Sequence, residues 1–240
     1  MRKLIAAGAL ALLAAGCSDE PSQREVQDQE VTDLNRVNSD GEAVAKAKAL
    51  PAGDLTEFTL GGRIGEKTVA MTNAAGSFAD LRSFVACPKG MDPCDPKIAP
   101  AGTVYTYVMV VYPGGDNDED TGIGAHNTAS DIERATAFRM TMPAHGFTGK
   151  AGYAKPEALA AIGPKADVVV SCDAGRIVWT VSAGDGGNQW EQKEPLTFYW
   201  QSTLPPAGTA KAYAFDADST EAIGMGFYPA AREGVANACA

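Results

Sequence analysis

One run of ten residues, Thr103 to Tyr112, leaves this chain few architectures. It reads Thr-Val-Tyr-Thr-Tyr-Val-Met-Val-Val-Tyr, β-branched or aromatic at almost every position and apolar on both faces of an extended strand. Such a strand must be covered on both sides or sit in the middle of a sheet. Shorter runs of similar texture fall at Thr56–Gly61, Lys67–Thr72, Ala135–Met142, Asp167–Cys172, Arg176–Ser182, Leu196–Thr203, Ala210–Asp216 and Ala222–Gly226, separated by Gly, Pro, Asp and Asn. Two of them alternate. Ile177, Trp179 and Val181 interleave with Arg176, Thr180 and Ser182, and Leu196, Phe198 and Trp200 interleave with Thr197, Tyr199 and Gln201. That is the pattern of strands with one face in a core, and it places Trp179 and Trp200 inside. Asp173-Ala174-Gly175 supplies a tight turn between two antiparallel strands. Eight or nine short strands with few helices predict an antiparallel β-sandwich, a single domain over residues 55–240.

Helix signals are sparse. Pro156–Ile162 has Pro early and Gly163 just past its end, and Ala230–Ala238 can form a last turn or two. Residues 17–54 are rich in Gln, Asp, Glu, Ser and Asn with no aromatic side chain. They bury too little to offset their ordering entropy and read as a flexible tether, roughly 30–35 Å across on average. Within it, Ser39-Asp40-Gly41-Glu42 has the form of a capping box ahead of Ala43–Ala49, with Pro51 as the stop.

The first sixteen residues have three zones: a basic start at Arg2 and Lys3, an apolar run from Leu4 to Ala15, and the small residues Ala14, Ala15 and Gly16. This is the order of a secretory signal peptide. Its apolar run is about 18 Å long as a helix, short of the roughly 30 Å that a bilayer core demands. Leu13-Ala14-Ala15-Gly16-Cys17 resembles the lipobox of bacterial lipoproteins, with Ala14 where Leu is usual. The resemblance covers residues 1–17 only. It implies that residues 1–16 are removed, that the Cys17 thiol carries a diacylglycerol, and that the new amino terminus is acylated with a chain such as palmitate. Ser18, rather than Asp, after the cysteine implies an outer-membrane address, facing the periplasm or the cell surface. The alternative is an ordinary signal peptide cut elsewhere.

With Cys17 assigned to lipid, Cys87, Cys94, Cys172 and Cys239 form an even set in an oxidising compartment. Three pairings are open. Pro88, Gly90 and Pro93 favour Cys87–Cys94 by folding that segment back on itself, leaving Cys172–Cys239 to tie the tail to a strand end. A metal site is the rival, but a Cys-x6-Cys spacing with no His nearby is a poor zinc pattern. The chain carries 20 basic and 30 acidic residues, a formal charge of −10, so phosphate backbones and anionic headgroups repel it. Nucleic acid is therefore not an expected partner. The lipid on Cys17 must hold the protein to the membrane by itself.

Sites of chemistry are harder to find. Asp116, Asp118 and Asp120 alternate in an acidic run after Pro113-Gly114-Gly115 and are candidates for a hard cation such as Ca²⁺. The match to an EF-hand loop breaks at Thr121, where Gly belongs, and at Asn127, where Glu belongs; a solvated loop tip is the plainer reading. No catalytic residue is assigned: Gly-x-Ser-x-Gly, Ser-x-x-Lys, His-Glu-x-x-His and Gly-x-Gly-x-x-Gly do not occur. His126 and His145 are the only histidines, both in loop-like sequence. Trp190, in a Gly-rich polar stretch, is a candidate for stacking a sugar or gripping a partner, or else a lid folded over the core. The functional expectation is a lipid-anchored envelope protein with a non-catalytic binding or scaffolding domain, its partner an envelope protein or glycan. A glycan- or Ca²⁺-binding module and a hydrolase with an unrecognised site are the alternatives.

Overall fold

The structure is a computed structural model that describes residues 47–73, 76–114, 132, 134–184, 189–191, 194–235 and 239, the side chains of 76–78 excepted. Cys17, the tether up to residue 46, the Asp116, Asp118 and Asp120 cluster and His126 lie outside the described residues. The strands are β1 (Lys48–Leu50), β2 (Ala52–Asp54), β3 (Leu60–Asn73), β4 (Gly76–Pro88), β5 (Tyr105–Pro113), β6 (Ala135–Met140), β7 (Phe147–Tyr153), β8 (Asp167–Asp173), β9 (Arg176–Ser182), β10 (Leu196–Ser202), β11 (Pro206–Ala217) and β12 (Thr220–Pro229). One helix, α1, spans Lys155–Ile162, and a 3-10 turn spans Leu55–Glu57.

The expected sandwich is corrected. All twelve strands form one sheet in the order β1-β8-β9-β6-β11-β12-β3-β4-β5-β10-β7-β2, antiparallel except for β2 on β7. The two end strands are consecutive in the chain, with only Pro51 between Leu50 and Ala52. Lys48–Leu50 pairs with β8, the chain then loses a donor at Pro51, and Ala52–Asp54 pairs with β7. This strap turns the sheet into a nearly closed barrel. Bulges in β3–β4, β11–β12, β11–β6 and β10–β7 supply the bending that such closure needs. The strap also corrects the tether's extent: residues 48–54 belong to the barrel, and Lys48 and Ala49 are strand where a helix is expected. Gly53 and Gly152 make the approach possible, because a Cβ on Gly152 would lie 2.0 Å from the Gly53 carbonyl oxygen.

Thr56–Gly61 is also corrected. The Asp54 carboxylate accepts a hydrogen bond from Thr56 N at 3.0 Å and caps the 3-10 turn, so strand structure begins only at Leu60. The Ala230–Ala238 expectation yields only a turn near Glu233 over the described part, 230–235. Eight of the expected strands are present; β1, β2, β4 and β7 come in addition. α1 stands where expected, closed by Gly163 at φ 88°. The β8–β9 turn has Ala174 and Gly175 at φ 46° and 81°, the left-handed pair of a two-residue hairpin.

The barrel interior is aromatic. Phe138 lies 5.1, 5.5 and 5.7 Å from the rings of Phe198, Tyr213 and Trp179, and Tyr107 stacks on Trp200 at 4.6 Å. Polar tips in this core find partners, as burial demands. Tyr107 Oη donates to Leu204 O, Trp179 Nε1 to Gly152 O, and Trp200 Nε1 to Tyr213 Oη, which donates onward to Phe227 O. β5 meets the demand set by its sequence. Tyr107, Met109 and Val111 face the interior, while Val108 on the outer side is covered by Leu55, Phe58 and Leu60 beside Phe84 and Tyr199. Along β9, Ile177, Trp179 and Val181 are buried and Thr180 and Ser182 exposed, the reverse of the alternation in a barrel that faces lipid.

Candidate functional site

Cys87–Cys94 and Cys172–Cys239 are disulfides, each with Cα atoms 5.5 Å apart, in the pairing that the turn residues favour. The first closes the loop after β4. The second fixes the tail to β8, beside the strap: Lys48 stands opposite Cys172 in the β1–β8 register.

Trp190 does not present a ring to solvent. It is 1 % exposed, with its indole edge-on to Phe215 at 5.3 Å and Phe198 at 5.8 Å, and Nε1 donates to Glu194 O at 2.7 Å. Its backbone carbonyl takes Ala135 N at 2.8 Å. Of the two readings of Trp190, the lid folded over the core is the one seen: the ring closes the interior. Glu194 lies alongside, and burial moves its carboxyl above the ordinary range.

His145 is half-buried, edge-on to Tyr228 with ring centres 5.9 Å apart, in a shallow depression of about 230 Å³ that Met142, Gly208 and Pro229 also line. Burial pushes the Tyr228 phenol up to about 12, and its hydroxyl donates to Pro143 O. Ser202 Oγ reaches the backbone oxygen of His145 at 2.8 Å, not the imidazole. Among the described residues lining the depression the hydroxyls are those of Thr209 and Tyr228, the latter donating to Pro143 O, and there is no Ser and no carboxylate.

An open groove of about 670 Å³ lies where the barrel wall parts. Among the described residues β3 and β12 share one register pair, Ile223 with Thr72. Beyond it, β12 swings across the inner side of β3 and β4, which its glycines permit. A Cβ on Gly224 would meet Met71 at 2.7 Å, and one on Gly226 would meet the Tyr213 ring at 2.6 Å. Phe227 then satisfies its backbone on side chains: Ser83 Oγ serves its N–H at 3.3 Å and Tyr213 Oη its carbonyl at 3.0 Å. Val69, Ala70 and Thr72 form one bank of the groove, and Ile223, Met225 and Lys211 the other. Ile223 is 41 % and Met225 42 % exposed, adjacent outward residues of one strand, so the bank is an apolar strip rather than a scattered side chain. Glu221 also lines the groove but is held by Arg139, which binds Asp216 at 2.9 Å as well. The sequence reading missed this site, because β12 shows no excess of apolar residues; Gly224 and Gly226 between Ile223, Met225 and Phe227 were its only signal.

The described residues contain no group of three or more His, Cys, Asp or Glu placed to hold a metal ion, and no helix long and apolar enough to cross a membrane. Compared with protein-family models, curated proteins and solved structures, the chain matches none.

Proposed function

We propose that this chain is a lipid-anchored protein of the bacterial cell envelope, held to the outer membrane through Cys17, whose barrel binds or scaffolds another envelope component without catalysis. The cysteine pattern carries this reading. Four of the five cysteines are consumed in two buried cross-links, which belong to an oxidising compartment, and the one left over directly follows a leader of secretory form. The exposed apolar groove between β3 and β12 is the surface offered for binding. Two acyl chains or more, at about 0.8 kcal/mol per buried methylene, make such an anchor durable.

The test is mass spectrometry of the amino-terminal peptide from membrane-derived protein, together with fractionation of Cys17→Ser. Expected are a diacylglyceryl-modified Cys17 at the new terminus and loss of the variant from the membrane fraction. An amino terminus elsewhere, or an unmodified thiol at position 17, overturns the anchor.

A further inference from the structure

Resting on the reading of the barrel as a binding domain, we infer that the β3–β12 groove receives an extended segment of a partner protein, apolar at alternate positions and acidic at one end. The segment adds as a strand to the open edge of β3.

Three observations fix that chemistry. The first is the backbone. From Lys67 to Met71, β3 pairs regularly with β4 between two register shifts, and alternate residues of an antiparallel strand aim N–H and C=O away from their partner. On the far side β12 takes up only Thr72. Of this five-residue edge, roughly 17 Å long, Val69 and Ala70 line the groove, with Thr72 and Asn73 beyond them, and the edge is a template for an incoming strand. The second is the apolar strip. Ile223 and Met225 stand two residues apart, facing Val69 and Ala70 across the groove, so they receive alternate side chains of the added strand. Thioethers suit such a surface because they adapt to several side-chain shapes. The third is charge. Glu221 is engaged by Arg139, whereas Lys211 has no ion pair among the described residues. The groove thus presents an available ammonium in a molecule of net charge −10. At physiological ionic strength the distant charges are screened beyond about 8 Å, and Lys211 decides which end of a peptide is welcome. The bulges and the charged residues Arg63 and Glu66 on β3 guard the rest of that edge against indiscriminate pairing.

The full-length chain, purified as expressed, is panned against a displayed random heptapeptide library, and the recovered peptides are synthesised and titrated by fluorescence anisotropy. Expected are peptides with apolar residues at alternate positions, Asp or Glu at one end and no central Pro. Met225→Glu should weaken them at least tenfold and Lys211→Glu should shift the selected terminal charge from acidic to basic. Methylating alternate backbone nitrogens of the peptide should abolish binding in one phase and spare it in the other, which side-chain docking alone would not do. Met225 and Lys211 are exposed, so both variants should melt within about 2 °C of the parent. Recovery of no peptide, of peptides without alternation or acidic ends, or of binding indifferent to Met225→Glu overturns the inference. A concentration-dependent dimer in sedimentation that Met225→Glu dissolves would overturn it in favour of a second copy. Peptide binding is measured away from membranes, so its failure leaves the Cys17 anchor standing, and failure of the anchor leaves the peptide result standing.

Discussion

Replacing Trp190 with Ala separates two roles that its sequence neighbourhood leaves open. A ligand-stacking tryptophan is paid for by function and can be removed at little structural cost. The indole seen here is 1 % exposed, lies against Phe198 and Phe215, and donates to Glu194 O at 2.7 Å. Truncating a large buried aromatic costs about 3–5 kcal/mol in lost transfer energy and residual cavity. Area gives a similar scale: a tryptophan buries on the order of 150–250 Å², and at about 25 cal/mol per Å² that is roughly 4–6 kcal/mol before subtracting the retained methyl. For a domain of this size each kcal/mol moves the melting temperature by about 2–4 °C, so a fall of roughly 6–20 °C is expected. Trp190→Phe keeps most of the ring contact and removes the donor to Glu194 O, so it should cost about 1–3 kcal/mol. Guanidinium denaturation with both disulfides intact measures this as a lower midpoint at unchanged slope. If Trp190→Ala shifts the midpoint by less than about 1 kcal/mol equivalent, the indole does not close the interior and the packing described here is refuted.

Gly226→Ala should destabilise by about 1–3 kcal/mol, read as a lower denaturation midpoint, because the new methyl carbon would lie 2.6 Å from the Tyr213 ring. Removing Cys172–Cys239 as a double Ala variant should cost more than removing Cys87–Cys94, about 4.4 against about 2.5 kcal/mol by chain entropy, since the sequence separations are 67 and 7. Equal losses in urea melts would contradict that ordering. Burial raises the phenols of Tyr199 and Tyr228 to about 12, and those of Tyr107 and Tyr213 further still. Their folded values lie above the unfolded value near 10, so their stabilisation is complete below pH 10 and is lost as pH climbs from there towards 12. In an absorbance titration at 295 nm these four should ionise together with unfolding, and ionisation of every tyrosine near pH 10 in folded protein would exclude the buried arrangement.

Much of the barrel was legible wherever burial leaves an alternating signature. β5 announced two covered faces, and it has them: Tyr107, Met109 and Val111 within, Val108 beneath Phe58 and Leu60 without. The alternation of Ile177, Trp179 and Val181 placed the inner face of β9 correctly. The cysteine pairing was legible for a local reason, as Pro88, Gly90 and Pro93 fold the chain between Cys87 and Cys94 back on itself, with Asp92–Pro93 cis. What escaped was structure that exists only through pairing. Asp80 is fully buried on β4 and Arg82 partly so, which masks an otherwise apolar strand. Phe147–Tyr153 carries Gly149, Lys150 and Gly152, poor strand formers held by the β10 ladder. Lys48–Asp54 reads as polar tether and becomes strand because β7 and β8 each leave an edge for it. Trp190 was legible as a lid over the core in spite of its Gly-rich, polar neighbours: the ring reaches the core and its nitrogen finds a carbonyl four residues on.

Distinguishing barrel from sandwich turned on those seven residues of strap, and the strap also explains where the groove can face. In the sheet order, the β12–β3 parting has five strands on each side before the strap is reached. The groove and the strap therefore occupy opposite walls of the barrel. The strap wall is braced: Lys48 lies beside the Cys172–Cys239 bond, so tension entering at the first strand meets a covalent cross-link within one ladder step. The groove wall is held by a single register pair, by the Asn73 Nδ2 to Thr220 Oγ1 hydrogen bond, and by side chains that serve the Phe227 backbone. The described chain enters the barrel at Lys48 on the braced wall, so along the chain a pull from the proposed anchor reaches the strap before it reaches the groove. Moving the attachment point tests the division directly. A lipidated Cys introduced near the groove should reduce capture of the selected peptides by membrane-bound protein while leaving their binding to detergent-solubilised protein unchanged, and equal loss in both would mean that the groove, not its orientation, had been damaged.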